Sequence, residues 1–124
     1  MFSADSILIV EDDPIIAMCL VDAVLDLKGH VIGPLSTVRE AMEILDQQAI
    51  AAAILDAKLL DRDITPVALR LASAGIPLVV HSGTGLPPDV AAKWPDLPVL
   101  MKPMAALEVV ERLELEMQKF RRSD

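Results

Sequence analysis

Ile7-Leu8-Ile9-Val10-Glu11-Asp12-Asp13-Pro14 decides the fold. Four apolar residues without polar alternation suit a strand buried on both faces, as in a parallel sheet. Three acids follow at once, and Pro14 stands where a first helical residue has no need of its N–H. The run therefore reads as strand, acidic turn and helix start, with Asp13 as the helix cap.

The same pattern recurs outward from this stretch. Ala51-Ala52-Ala53-Ile54-Leu55, Ile76-Pro77-Leu78-Val79-Val80 and Val99-Leu100-Met101 are further apolar runs, and Val31-Ile32-Gly33 is a weaker one. Helical spacing lies between them. From Asp13 to Lys28, the residues Ile15, Cys19, Leu20, Ala23, Val24 and Leu27 recur at intervals of three and four, and Gly29 stops the run. Thr37-Val38-Arg39-Glu40 is a capping box for a helix to about Gln48. Thr65-Pro66 opens another that ends at Gly75, and Pro87-Pro88-Asp89 opens a short one closed by Pro95. The last runs from Met104 to Arg122, with Leu107, Val110, Leu113, Leu115 and Met117 near one stripe. Strands alternating with helices predict right-handed βαβ units in a (βα)₅ arrangement, with residues 1–124 as one domain.

Composition narrows the function. The chain has 124 residues, 53% hydrophobic and 24% charged, a globular balance. Eleven Lys+Arg against nineteen Asp+Glu leave a net charge of −8, which opposes nucleic-acid binding. One cysteine excludes an internal disulfide and fits a reducing interior. No apolar run approaches the roughly 20 residues of a membrane span, and the start lacks the pattern of a signal peptide. A cytoplasmic location is expected.

The chemistry lies at the strand ends. In an open parallel sheet, ligands bind beyond the carboxyl ends of the strands. Glu11 and Asp12 end the first strand, Asp56 the third, His81-Ser82-Gly83-Thr84-Gly85 the fourth and Lys102-Pro103 the fifth. With strand order 2-1-3-4-5 and neighbours roughly 4.8 Å apart, these side chains share one crevice. Carboxylates can hold Mg²⁺, while a hydroxyl and an ammonium can receive a phosphoryl group. Asp56 is central, and a carboxylate in that place can act as the nucleophile that forms an aspartyl-phosphate. Each residue alone also has a plain reading as turn or surface residue.

Over its whole length the sequence resembles the receiver domain of two-component response regulators (CheY-like). Ile7 to Asp13 looks like the family's first strand and acidic pair, and Asp56 with Leu59 and Asp61 falls on the phosphoacceptor segment. Ser82 falls on the Thr/Ser position and Lys102-Pro103 on the Lys-Pro pair. The resemblance implies a flavodoxin-like α/β fold, a doubly wound parallel sheet of order 2-1-3-4-5. It implies Asp56 as phosphoacceptor, supplied by a histidine kinase or a histidine phosphotransfer protein. It further implies Mg²⁺ (or Mn²⁺) held by Glu11, Asp12, Asp56 and the Lys58 carbonyl, with Asp12 the more direct carboxylate ligand. Ser82 and Lys102 would bind phosphoryl oxygens, and Lys102–Pro103 would be cis. Lys58 and Thr84 occupy positions that tune hydrolysis of the aspartyl-phosphate.

Two departures stand out. Leu60 and Arg62 occupy places where the family has Pro and Gly, and Val99 replaces the aromatic residue that reports phosphorylation. Val80-His81-Ser82-Gly83-Thr84 also looks like a diverged form of the Phe-Ala-Thr-Gly-Tyr segment of a proteobacterial subgroup. The resemblance implies a signalling module rather than an enzyme, whose output passes through contacts with a downstream protein. A receiver-like binding module independent of phosphorylation is the alternative, favoured by Val99 and opposed by the complete acid, hydroxyl and lysine set. A haloacid-dehalogenase-type phosphatase would need an acid where Lys58 stands, and a flavodoxin would need a phosphate loop where the three acids stand. His30 reads as a surface-loop residue, His81 as packed or half-exposed, Cys19 as helix core and Trp94 as a plug at the core edge. Ile15-Ile16 offers a docking point for a phosphotransfer helix, or else is core. The last helix offers a homodimer surface, although its apolar stripe is needed against the sheet.

Overall fold

A computed structural model describes residues 2–122, with the side chain of Arg122 excepted. Five strands and five helices alternate: β1 (Ser6–Val10), α1 (Pro14–Asp26), β2 (His30–Leu35), α2 (Val38–Gln47), β3 (Ala52–Asp56), α3 (Thr65–Ser73), β4 (Leu78–Ser82), α4 (Pro88–Lys93), β5 (Val99–Met101) and α5 (Ala106–Arg122). All strand pairs are parallel, in the order β2-β1-β3-β4-β5. This is the flavodoxin-like arrangement, in which strand order reverses between β1 and β3.

Strand alternation sorts the core into two layers. Leu8, Val10, Ala53, Leu55 and Val80 face α2 and α3, where Val38, Ala41, Val67 and Leu71 are buried. Ile7, Ile9, Ile54, Val79 and Leu100 face α1 and α5, meeting Leu20, Val24, Val110 and Leu113. β2 is an edge strand, which explains how it carries a Gly33–Pro34 pair that breaks its sequence signal. Among the described residues, no helix is long and apolar enough to cross a membrane.

Local signals mostly act as the sequence predicts. Asp13 accepts hydrogen bonds from the Ile15 and Ile16 N–H groups at 2.9 and 3.2 Å and caps α1. Thr37 caps α2 by accepting from Glu40 N–H at 3.1 Å. Three expectations need correction. Cys19 is exposed and Ile15 is 76% exposed, because α1 buries Ala17, Leu20, Ala23 and Val24 instead. That helix is apolar on nearly every side, so spacing alone cannot select its inner face. On α5, Leu107 and Leu115 are about half exposed while Val109 joins Val110, Leu113 and Met117 inside. Gly29 follows the end of α1 as the sequence predicts, and the left-handed conformation there falls on Lys28, at φ 68°. Gly29 is required for space, since a Cβ there would lie 2.6 Å from Val24 Cγ1 and 2.9 Å from Phe2 Cδ2. His30 is exposed but begins β2 rather than lying in a loop.

Candidate functional site

Three carboxylates gather at the carboxyl end of the sheet. Glu11 follows β1 directly, Asp12 comes next, and Asp56 ends β3 beside it. Each contributes an oxygen to a group whose members lie within 4.8 Å of one another. Glu11 and Asp56 are buried, and Asp12 is half-buried. Such a set of hard oxygen donors, partly open to solvent, fits a Mg²⁺ ion that keeps several waters.

Lys102 supplies the opposing charge. Its backbone N–H donates to the Ser82 carbonyl at 2.8 Å, carrying the β4–β5 pairing one residue further and fixing where the side chain starts. Nζ donates to Asp56 Oδ2 at 3.1 Å. It also lies 3.1 Å from Glu11 Oε1, an ion pair off the direction of a hydrogen bond. The other Glu11 oxygen accepts from Asp13 N–H at 3.1 Å. The Lys102–Pro103 peptide bond is cis.

Crowding three acids at one point perturbs their titration. Burial, with the hydrogen-bonding contact to Asp56 next, pushes Glu11 up to about 7. Burial also acts to raise Asp56, but the contacts with Glu11 and with Lys102 outweigh it and hold that carboxyl below its ordinary value. At neutral pH Glu11 is thus divided between its protonated and ionised forms, while Asp56 stays ionised beside Lys102. For Lys102, burial opposes the charge while Asp56 and Glu11 favour it, and the balance raises its pKa.

The β3–α3 loop brings the Lys58 N–H to 3.4 Å from Asp56 Oδ1, while the Lys58 side chain is exposed. Ser82, buried at the end of β4, is not turned toward the acids. Its hydroxyl donates to the Gly85 carbonyl at 2.9 Å and accepts from Thr84 N–H at 3.0 Å. Thr84 itself is exposed, with Oγ1 at 3.5 Å from Ser82 Oγ. Val99 is half-buried on β5 opposite Val80.

One feature escapes sequence reasoning. Asp61 reaches across to α2, accepting from the Val38 and Arg39 N–H groups at 2.9 and 3.1 Å. Those bonds, led by Val38, lower its pKa. They tie the loop after Asp56 to a helix start 23 residues earlier, a distance at which no local motif signals a cap. His81 is 3% exposed, the packed one of the two alternatives its sequence allows, pointing with Val79 and Leu100 toward α1 and α5.

A parallel sheet of this order, with acids and a lysine converging at its carboxyl rim, defines the architecture of phosphoryl-receiving signalling domains. No family model and no curated protein matches the chain. Solved structures do. SdrG from Sphingomonas melonis Fr1 is 36% identical, covering 95% of this chain and 99% of that one, with a TM-score of 0.76. The signal receiver domain of a modulated diguanylate cyclase from Desulfovibrio desulfuricans G20 is 25% identical over 97% of this chain and 98% of that one, with a TM-score of 0.79. A CheY-like response regulator receiver domain protein from Methanospirillum hungatei JF-1 shares the fold at a TM-score of 0.85, with 18% identity over 98% and 100% of the two chains. The chain belongs to the response regulator receiver (CheY-like) family.

Proposed function

We propose that Asp56 accepts a phosphoryl group from a histidine kinase or a histidine phosphotransfer protein, in a cytoplasmic two-component relay. The observation that carries this reading is the position of the Asp56 carboxyl, central among the strand ends, with Lys102 at 3.1 Å and two further carboxyls alongside. An Asp56 oxygen attacks phosphorus, the P–N bond of the donor phosphohistidine breaks, and the donor ring, already protonated on its other nitrogen, takes the bonding pair and leaves as neutral imidazole. Lys102 neutralises one phosphoryl oxygen. Ser82 reaches a second once its hydroxyl leaves the Gly85 carbonyl. Glu11, Asp12, Asp56 and the Lys58 carbonyl would hold Mg²⁺ or Mn²⁺, which supplies charge neutralisation at the transferring group. Exposed Lys58 and Thr84, two residues beyond Asp56 and Ser82, would govern the access of water to the aspartyl-phosphate.

The chain acts as a signalling module rather than an enzyme, and its output passes through protein contacts. Val80 to Thr84 supports placing it in the diverged Phe-Ala-Thr-Gly-type subgroup. Incubation with acetyl phosphate and Mg²⁺, followed by intact-mass measurement, tests the proposal. One added phosphoryl group is expected, and Asp56→Asn abolishes it. Val99, which lacks the ring that broadcasts phosphorylation elsewhere in the family, favours a second reading as a phosphorylation-independent binding module. An unchanged mass would leave that reading standing.

A further inference from the structure

The residues from Ala57 to Asp63 lead from the phosphoacceptor strand toward α3, and none of them is Pro, so the backbone is not restricted from within. From Lys58 to Asp63 only Leu59 is partly buried, and Leu60 is 72% exposed. Hydrogen bonds hold the loop's shape instead. Leu59 N–H donates to the Arg62 carbonyl at 3.1 Å, and Ile64 N–H to the Ala57 carbonyl at 2.9 Å. Leu60 N–H donates outward to the Ser36 carbonyl at 3.4 Å, while the Asp61 carboxylate takes both the Val38 and the Arg39 N–H of α2. The Asp61 pair is the stronger tie, because a charged acceptor at 2.9 and 3.1 Å outweighs a neutral bond at 3.4 Å. At its other end the loop reaches the site. Lys58 N–H lies 3.4 Å from Asp56 Oδ1, the carboxylate oxygen that Lys102 leaves free.

We propose that Asp61 is a positioning residue for divalent-ion binding, fixing Lys58 and the Asp56 carboxylate through its hold on the start of α2. The proposal rests on the reading of Glu11, Asp12, Asp56 and the Lys58 carbonyl as the ion's ligands. An ion binds more tightly to donors already in place, since none of its interaction energy is lost in ordering them. Groups that orient metal ligands from behind contribute about ten- to hundred-fold in affinity. Coupling is reciprocal, so an ion that fixes Lys58 also strengthens the Asp61 cap. Its arrival is then felt at Val38 and Arg39, on a helix that supplies no ligand.

Mg²⁺ titrated into the isotope-labelled full chain and followed by amide shifts tests the proposal. Asp61→Ala is expected to weaken Mg²⁺ binding about ten-fold. Asp61→Asn keeps a capping oxygen and drops the charge, and should stay within about three-fold of the native chain. Glu40→Gln removes an equal charge from the first turn of α2 without a bond to the loop, and should change nothing. In the native chain, Mg²⁺ should slow hydrogen exchange at the Val38 and Arg39 amides. Equal weakening by Asp61→Ala and Asp61→Asn, or as much from Glu40→Gln, would reveal attraction through space and overturn the proposal. Should Asp61→Ala fail to fold, exchange in the native chain decides, and unprotected Val38 and Arg39 amides overturn it. No saturable shift in the native chain overturns the ligand reading and this proposal together. Binding that Asp12→Asn removes and Asp61→Ala leaves intact overturns this proposal alone.

Discussion

Glu11→Gln preserves the shape of a buried side chain and removes its charge. In the native chain, burial first and the contact with Asp56 second raise Glu11 from 4.5 to about 7. A carboxyl whose folded pKa is raised holds a proton that the unfolded chain releases. Its contribution to stability is complete below the unfolded value and is lost as pH rises through the folded one. Each pH unit inside that window is worth about 1.4 kcal/mol, so the span from about pH 5 to about pH 8 removes about 2–3 kcal/mol. Asp56 has the opposite sign: its lowered pKa contributes stability above the ordinary 3.8, lost only in more acid solution, so it is constant across this range. For a chain of this size the loss corresponds to about 10 °C in Tm. Thermal unfolding by circular dichroism in divalent-free buffer reads it directly. The variant should match the native chain near pH 5 and surpass it near pH 8. Parallel pH profiles for the two proteins would refute the assigned burial of charge.

Three further expectations follow from named contacts. Lys102→Met leaves two buried carboxyls without their cation and should cost about 3 kcal/mol at neutral pH, with loss of phosphoryl uptake; urea titration and intact mass check both. Asp61→Ala frees the loop after Asp56 from α2, which should speed hydrogen exchange at the Leu59 and Leu60 amides and lower Tm; an unchanged exchange rate would show that the cap holds nothing. Substituting Lys58 or Thr84 should alter the lifetime of the aspartyl-phosphate, measured as the decay of the added mass, and identical decay in both variants removes their assigned role.

The fold was legible wherever burial on both faces wrote an unbroken apolar run, as at Ile7–Val10 and Ala52–Leu55. It was faint at β2, where the strand lies at an edge and tolerates Gly33–Pro34. The inner face of α1 was only half readable: Leu20, Ala23 and Val24 are buried as their spacing predicts, but Ile15 and Cys19 are exposed. Ile15, Met18 and Cys19 are as apolar as the residues they flank, and only the packed sheet chooses between them. At the site, Glu11, Asp12, Asp56 and Lys102 could be grouped because each lies at or just past the end of a strand, and strand ends meet at one rim. The orientation of the Ser82 hydroxyl and the reach of Asp61 depend on backbone brought close by folding, so no spacing in the chain announces them.

The Ser82 hydroxyl can serve only one acceptor at a time. Turning toward a newly arrived charge on Asp56 strips the Gly85 carbonyl of its donor, at a residue whose φ of 88° already confines the loop to few shapes. News of the event would therefore travel along residues 82–87 into the start of α4, a short lever that needs no ring at Val99 to move it.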